Sequence, residues 1–242
     1  MNLVALYNVW SDSSELLEGS IKTIRENVDY IIAITQKTSN FGVYNDEGFK
    51  EAKRLEKLGL IDEVINYEPT SRHKEREKRQ HGLNKAIEKG RFTHFLMLDC
   101  DEYYKPDEFK KAKKYIYDEN LTGSVLKMYT YFRHKYLRLE NMDNYYVPFI
   151  HKLKPLTRNG ISGYPFWVDP TRKINGCTKH NTEYIDFCRM HHYSYVRKNI
   201  KLKMENSTAR DNIINSTLLT DYENAKAGYY VPHFRQKLVF VA

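Results

Sequence analysis

The stretch FLMLDCDEYY, Phe95 to Tyr104, runs from a largely apolar segment straight into three carboxylates, Asp99, Asp101 and Glu102. A short apolar run of this kind reads as a β-strand covered on both faces. Carboxylates so close repel one another, and each loses hydration where the fold excludes water, so a positive charge is expected beside them. In an extended chain, residues two apart point the same way. Asp99 and Asp101 therefore share one side of the strand end while Cys100 faces the other, an arrangement that suits a divalent cation. A lone D-x-D tripeptide also arises by chance and serves as a solvated turn that stops a strand, so its context decides.

Upstream, strand and helix patterns alternate. LVALYNV, Leu3 to Val9, is a second candidate for a strand buried on both faces. Asp12 and Glu15 have the spacing of a capping box, and Leu17, Ile21, Ile24 and Val28 recur at helical spacing. Val28 to Thr35 reads as a strand, Glu47 to Leu58 as a helix and Ile61 to Glu68 as a third strand. His73 to Lys89 is basic and helix-favouring, with Leu83, Ala86 and Ile87 available to the core and Gly90 placed to end it. THFLMLD is then a fourth strand. Pro106 opens a helix whose buried stripe is Phe109, Ala112 and Ile116, ending near Tyr117. This alternation predicts an α/β fold: an open, Rossmann-like, mainly parallel sheet with helices on both faces. Ligands of such sheets bind beyond the carboxyl ends of the strands, where Asp99 and Asp101 stand.

The second half changes character. Ser124 to His134 reads as a long strand, and aromatic, proline-bearing segments follow, YYVPFIHKLKP and GYPFWVDPTRKING. CRMHHYSYVRKNIKLKMENS crosses from a short strand into a basic helix beginning near Tyr195. Trp167, Tyr164 and His151 either shape an acceptor pocket or pack under the sheet. The expected organisation is one domain, 1–242, with an α/β half over 1–120 and a mixed half over 121–242 that includes a C-terminal helix.

The 242 residues are 41% hydrophobic and 29% charged, as in soluble globular chains, and no apolar run has the length of a membrane helix. The opening MNLVALYNVW reads as a strand rather than a signal peptide. Three cysteines, Cys100, Cys177 and Cys188, without C-x-x-C spacing, speak against a disulfide framework or a thiolate zinc site. The expected compartment is cytoplasmic, with the sequons at Asn120, Asn206 and Asn215 silent. A formal charge of +8 suits phosphate-bearing partners without choosing among nucleotide-sugars, nucleic acids and anionic membranes.

The order of these pieces resembles the GT-A type glycosyltransferases, specifically family-2-like enzymes. The resemblance runs from LVALYNVWSDSSELLEGSIKTIRENVDYIIAIT through KRQHGLNKAIEKGRFTHFLMLDCDEYY to HHYSYVRKN. It implies that Asp99 contacts the donor ribose or the metal and that Asp101 binds a Mn²⁺ or Mg²⁺ ion bridging the two phosphates of a nucleotide-sugar, a UDP-sugar first. It implies a downstream histidine as a further metal ligand. If CRMHHYS is a strand, only one of His191 and His192 can face the ion, and His192 is chosen. Tyr7, Asn8, Val9 and Gln36 would line the base pocket, although the family often carries an acid where Gln36 stands. Lys78 and Arg79 fall where the resembling enzymes place a phosphate-contacting cation, but RHKEREKR also mixes signs as exposed helices do.

Arg197 and Lys198 are candidates to hold the diphosphate, because cations in a first helical turn oppose the helix dipole and invite an anion. Glu102 is either an outer acceptor or a helix-start charge, with the second preferred. Asp169 in PFWVDPTR is the candidate catalytic base of an inverting transferase, or simply the cap of a D-P-T-R turn. The function expected is metal-dependent transfer of a sugar to an acceptor hydroxyl, on a saccharide or on a hydroxymethylated base in phage DNA. The alternatives are a nucleotidyltransferase, disfavoured because YNVWSDSSE has no glycine at its turn, and a non-catalytic basic nucleic-acid-binding protein.

Overall fold

A computed structural model describes residues 1–70, 74–206 and 217–241. His73, Asn215 and Ser216 of the last sequon, and the end of the Asn206 sequon lie outside the described residues. The first half follows the alternation closely: β1 (Leu3–Val9), α1 (Ser14–Ile24), β2 (Tyr30–Thr35), α2 (Glu47–Lys57), β3 (Glu63–Asn66), α3 (Lys74–Glu88), β4 (His94–Asp99), β5 (Glu102–Tyr104) and α4 (Pro106–Asp118). Then come β6 (Gly123–Phe132), β7 (Leu137–Leu139), β8 (Val147–Pro148), β9 (Ile150–Lys152), β10 (Thr182–Tyr195), α5 (Ile200–Asn206), α6 (Leu218–Glu223), β11 (Tyr230–Val231) and β12 (Gln236–Phe240).

The first sheet has the order β3-β2-β1-β4-β9, with β9 alone antiparallel. Side chains of β1 alternate between two layers, as strand geometry requires. Leu3, Ala5, Tyr7 and Val9 join Leu17, Ile21 and Ile24 of α1, Ala52 and Leu55 of α2, and Phe109, Ala112 and Ile116 of α4. Val4 and Leu6 face the other way, onto Leu83 and Ala86 of α3. The sheet is thus covered on both faces, and each fully buried Leu or Ile contributes roughly 1.5–3 kcal/mol of apolar burial. Gly90 ends α3 at a φ of 65°, which an L side chain adopts only with strain.

The second sheet has the order β11-β12-β7-β6-β10-β5, with β8 also pairing β6. The two sheets exchange strands. β5 leaves the end of β4 to pair with β10, and β9 from the second half returns to the edge of β4. A smaller apolar cluster, centred on Phe132, Leu139, Met204 and Leu238, closes the far end. Among the described residues no helix is long and apolar enough to cross a membrane.

Two local expectations are corrected. Asp12 makes no capping hydrogen bond, because Ser11–Ser13 form a 3-10 turn ahead of α1. The segment expected as a short strand and then a helix from Tyr195 is one 14-residue strand, β10, and the helix begins only at Ile200. Pairing with both β5 and β6 keeps the backbone extended past the polar HHYSY run.

Buried histidines under the sheet give the fold an acid-sensitive point. His151 is packed on Phe95, its Nδ1 bonds the Phe149 carbonyl at 3.2 Å and its Nε2 bonds the Tyr164 hydroxyl at 2.8 Å. Burial pushes its pKa down to about 4, and does the same to His94. Both imidazoles are neutral above about pH 6.5 whether the chain is folded or not, so their packing is fully available there. Between about pH 6.5 and 4 the unfolded chain takes up protons that the folded one refuses, and stability falls. Urea denaturation should lose about 2 kcal/mol for His151 alone between pH 7.5 and 4.5, and His151→Gln should shrink that pH-dependent loss.

Candidate active site

β1 and β4 lie side by side with Asn8 in register with Asp99, and their carboxyl ends open onto a cleft of about 260 Å³. After Asp99 the chain turns at Cys100 and Asp101 into β5, which runs antiparallel to β10. The Tyr193 amide donates to the Asp101 carbonyl at 2.8 Å, locking the turn against β10. Adjacent residues of β10 face opposite ways: His191 Nδ1 bonds the Tyr131 hydroxyl at 2.8 Å, while His192 Nε2 stands 3.7 Å from Asp101 Oδ1.

Three arginines surround the acids. Arg79 Nη2 donates to both Asp99 oxygens at 2.9 Å and to Glu75 at 2.7 Å. Arg172 Nη2 donates to Asp99 Oδ2 at 2.7 Å and also to Glu102. Arg197 Nη2 donates to Asp101 Oδ2 at 2.5 Å. Burial alone would raise all three carboxyls, but Arg79 and Arg172 hold Asp99 well below the usual range, and Arg197, then His192, do so for Asp101. Glu102 shares Arg172 with Asp99, and there burial wins, pushing its carboxyl up to about 7. The positive charge that the acidic cluster demands is thus supplied first by the protein itself.

Of the residues expected at the base and phosphate, Asn8 and Gln36 line the cleft, with Lys78, Asp99, Asp101 and His192. The Gln36 amide donates to the Thr38 carbonyl at 2.8 Å, a partner that can only accept, so its orientation is fixed. Tyr7 and Val9 do not line the cleft. Both side chains face the α1 layer, and the Tyr7 hydroxyl bonds Ser20 at 2.8 Å, because strand alternation gives the cleft only Asn8 from this stretch. The Val9 carbonyl instead anchors the buried Lys78 Nζ at 2.9 Å, where desolvation lowers the ammonium pKa to about 8. Arg79 is 4% exposed behind Asp99, not on a solvated helix face.

Arg197 stands behind Asp101, and Lys198 is exposed, its amide bonded to Glu15. Neither is in a first helical turn, because α5 starts later, so the helix-dipole reasoning does not apply to them. Glu102 is a buried strand residue rather than a helix-start charge. Asp12, within the cleft, faces Lys203 at 3.6 Å. Sequence reasoning missed Arg172 and Lys203. For Arg172 the only signal was the D-P-T-R turn itself.

That turn borders a second cavity of about 480 Å³, whose apolar walls include Met128, Tyr146, Pro148 and Met190. Glu75, Asp99, Asp169 and His192 line both cavities. Asp169 caps the 3-10 turn Pro170–Arg172: its Oδ1 accepts from the Thr171 amide at 2.7 Å and hydroxyl at 2.9 Å, which leaves Oδ2 without a hydrogen bond among the described residues. His151 and Tyr164 bond one another under the sheet, whereas Trp167 is exposed.

A divalent cation finds a partial ligand set. Asp101 Oδ1 and His192 Nε2 face each other beyond hydrogen-bond reach, and neither has another hydrogen-bond partner among the described residues; a carboxylate with one imidazole suits Mn²⁺ better than Mg²⁺, which prefers oxygen ligands. Both oxygens of Asp99 are engaged by Arg79, Arg172 and Asn8. Among the described residues no group of three His, Cys, Asp or Glu side chains stands ready for a metal. Such an ion would take two protein ligands and fill its sphere with phosphate oxygens and water, as Mg²⁺ in nucleotide sites commonly does.

No protein-family model and no curated protein matches this sequence. Among solved structures, S. aureus TarS is similar at a TM-score of 0.39 and 11% identity, over 54% of this chain and 22% of that one. TarS 1–349 in complex with UDP-GlcNAc gives the same score over 35% of its length, so the likeness spans about a third or less of these TarS chains. A 4-diphosphocytidyl-2C-methyl-D-erythritol synthase is similar at 0.47 and 14% identity, over 90% of this chain and 98% of that one. At such scores and identities the residues of the cleft themselves have to decide the chemistry.

The shared guanidinium gives a direct test. Replacing Arg172 by Met leaves Asp99 and Glu102 facing each other without it, and should cost about 3–5 kcal/mol in urea denaturation. Adding Glu102→Gln should recover part of that loss, because the buried carboxyl that most needs the guanidinium is then neutral.

Proposed function

We propose that this chain is a metal-assisted glycosyltransferase that moves a sugar from a nucleotide-sugar to an acceptor hydroxyl. One observation carries the reading: two cavities meet at a common wall of Glu75, Asp99, Asp169 and His192, as a reaction joining two substrates requires. The polar cleft over β1 and β4 takes the nucleotide diphosphate, and the more apolar cavity takes the acceptor.

Gln36 presents its fixed amide carbonyl to the base. Asn8, tied to Asp99 at 3.3 Å, lies toward the ribose. Lys78 and Lys203 supply positive charge along the cleft wall. A divalent cation held by Asp101 and His192 would offset the charge that gathers on the leaving diphosphate. Arg197 fixes Asp101 in place for that role. The free Oδ2 of Asp169 accepts the proton of the acceptor hydroxyl as its oxygen bonds the sugar carbon, and the diphosphate leaves with the electron pair of the broken bond. Hydrogen bonds donated by Thr171 hold the Asp169 carboxylate at the boundary of the two cavities, so that the base need not be reoriented in each turnover.

A thermal-shift screen of UDP-, GDP-, ADP-, CMP- and TDP-sugars with and without Mn²⁺ tests this. A donor at a hundred times its Kd adds about 2.7 kcal/mol, roughly 5–10 °C for a chain of this size. The metal-dependent part should vanish in Asp101→Asn, and Asp169→Asn should cut transfer at least about a hundredfold while leaving the donor shift in place. Silence across all donors, with and without metal, would refute the proposal.

A further inference from the structure

The acceptor cavity carries a charge and a shape of its own, and together they select among acceptors. Although the chain is +8 overall, the described residues lining this cavity include four carboxylates, Glu75, Asp99, Glu102 and Asp169, against one arginine and one histidine; Arg79 and Arg172 offset Glu75, Asp99 and Glu102, and Asp169 alone has no ion pair among the described residues. A cleft lined mostly by one sign focuses that sign's field. The phosphates of a nucleic-acid strand would meet repulsion here, whereas sugar hydroxyls find hydrogen-bond acceptors.

The rim adds an aromatic ridge. Trp167 is 63% exposed, yet it is not loose: its carbonyl accepts from the Tyr146 amide at 3.0 Å, and Val168 bridges Tyr146. Its ring lies 4.5 Å from that of Tyr145, which lines the cavity. Next to them, Tyr146 packs on Phe166 at 5.1 Å and on Tyr184 at 5.4 Å, with Lys127 Nζ 4.0 Å over its ring. An indole held open to water by backbone bonds and ring contacts is preorganised to receive a flat apolar face at low entropic cost. A pyranose has such a face on its C–H side and hydroxyls along its edge.

Resting on the transferase reading above, we infer that the acceptor is an uncharged glycan whose ring lies on the Tyr145–Trp167 pair, with its hydroxyl edge toward Asp169. The unpaired Asp169 carboxylate disfavours a polyanionic acceptor, and the exposed indole grips the unit next to the one that receives the sugar.

The test uses the full chain with the donor and metal found in the thermal-shift screen. A printed array of neutral glycans, anionic glycans and single-stranded oligonucleotides bearing 5-hydroxymethylcytosine is probed for binding and for transfer. Binding and transfer confined to neutral glycans are expected. For the best of them, Trp167→Ala should raise the acceptor KM about three- to tenfold, the scale of one lost aromatic contact, and Trp167→Phe should recover most of it. Because Trp167 lies on the surface, neither variant removes core packing. Modification of the oligonucleotide, binding to no neutral glycan, or an acceptor KM indifferent to Trp167→Ala would each overturn the inference while leaving donor use intact. Absence of donor binding altogether would instead bring down the transferase reading, and this inference with it.

Discussion

Compensation of negative charge at the end of β4 is the constraint on which the rest of the structure depends. Three carboxylates within four residues close a buried strand, and each is met by a guanidinium from a different part of the chain: Arg79 from α3, Arg172 from the turn that Asp169 caps, and Arg197 from the segment after β10. Removing any one partner strands a charge in a place that cannot hydrate it. The ion pairs therefore act less as net stabilisers than as a specification, since only one relative placement of α3, the turn and β10 satisfies all three acids.

The same pairs join the two sheets functionally. Asp99 belongs to the parallel sheet and Glu102 to the second one, and Arg172 holds both. Because β5 crosses into the second sheet directly after Asp101, His192 of β10 arrives beside the acid end of β4 without a long loop to position it. The site thus sits on strands and tight turns, which hold side chains more exactly than flexible loops do.

The first half of the fold was legible because its signals are local. Leu17, Ile21 and Ile24, or Phe109, Ala112 and Ile116, announce a buried helical stripe within a dozen residues; α4 ends within a residue of expectation, whereas α1 stops at Ile24 and a 3-10 turn leads to Val28, which is already extended. Alternation also separates Asn8 from Tyr7 and Val9, a distinction that assigning all three to the base pocket overlooked. What stayed hidden depends on distant pairing. Nothing near Glu102 shows that its partner lies 70 residues away, and a polar run such as HHYSY does not reveal that neighbouring strands will keep it extended. Arg172 looked like the tail of a turn because its role exists only once β4 and β5 are in place.

The pairing of β10 with β6 is irregular: between the partners Tyr184–Val125 and Arg189–Lys127, β10 spends three more residues than β6 does. An odd surplus reverses the parity of everything beyond it. Side chains that would otherwise have turned away now look into the cleft, and it is this count that decides which of two neighbouring imidazoles meets Asp101. A register shift of one residue beyond that bulge would bring His191 or Tyr193 to where His192 stands, whereas a shift of two would keep the facing but carry His192 about 7 Å along the strand, away from Asp101. The length of the irregular stretch, more than its composition, is thus the feature to follow in any altered version of this chain.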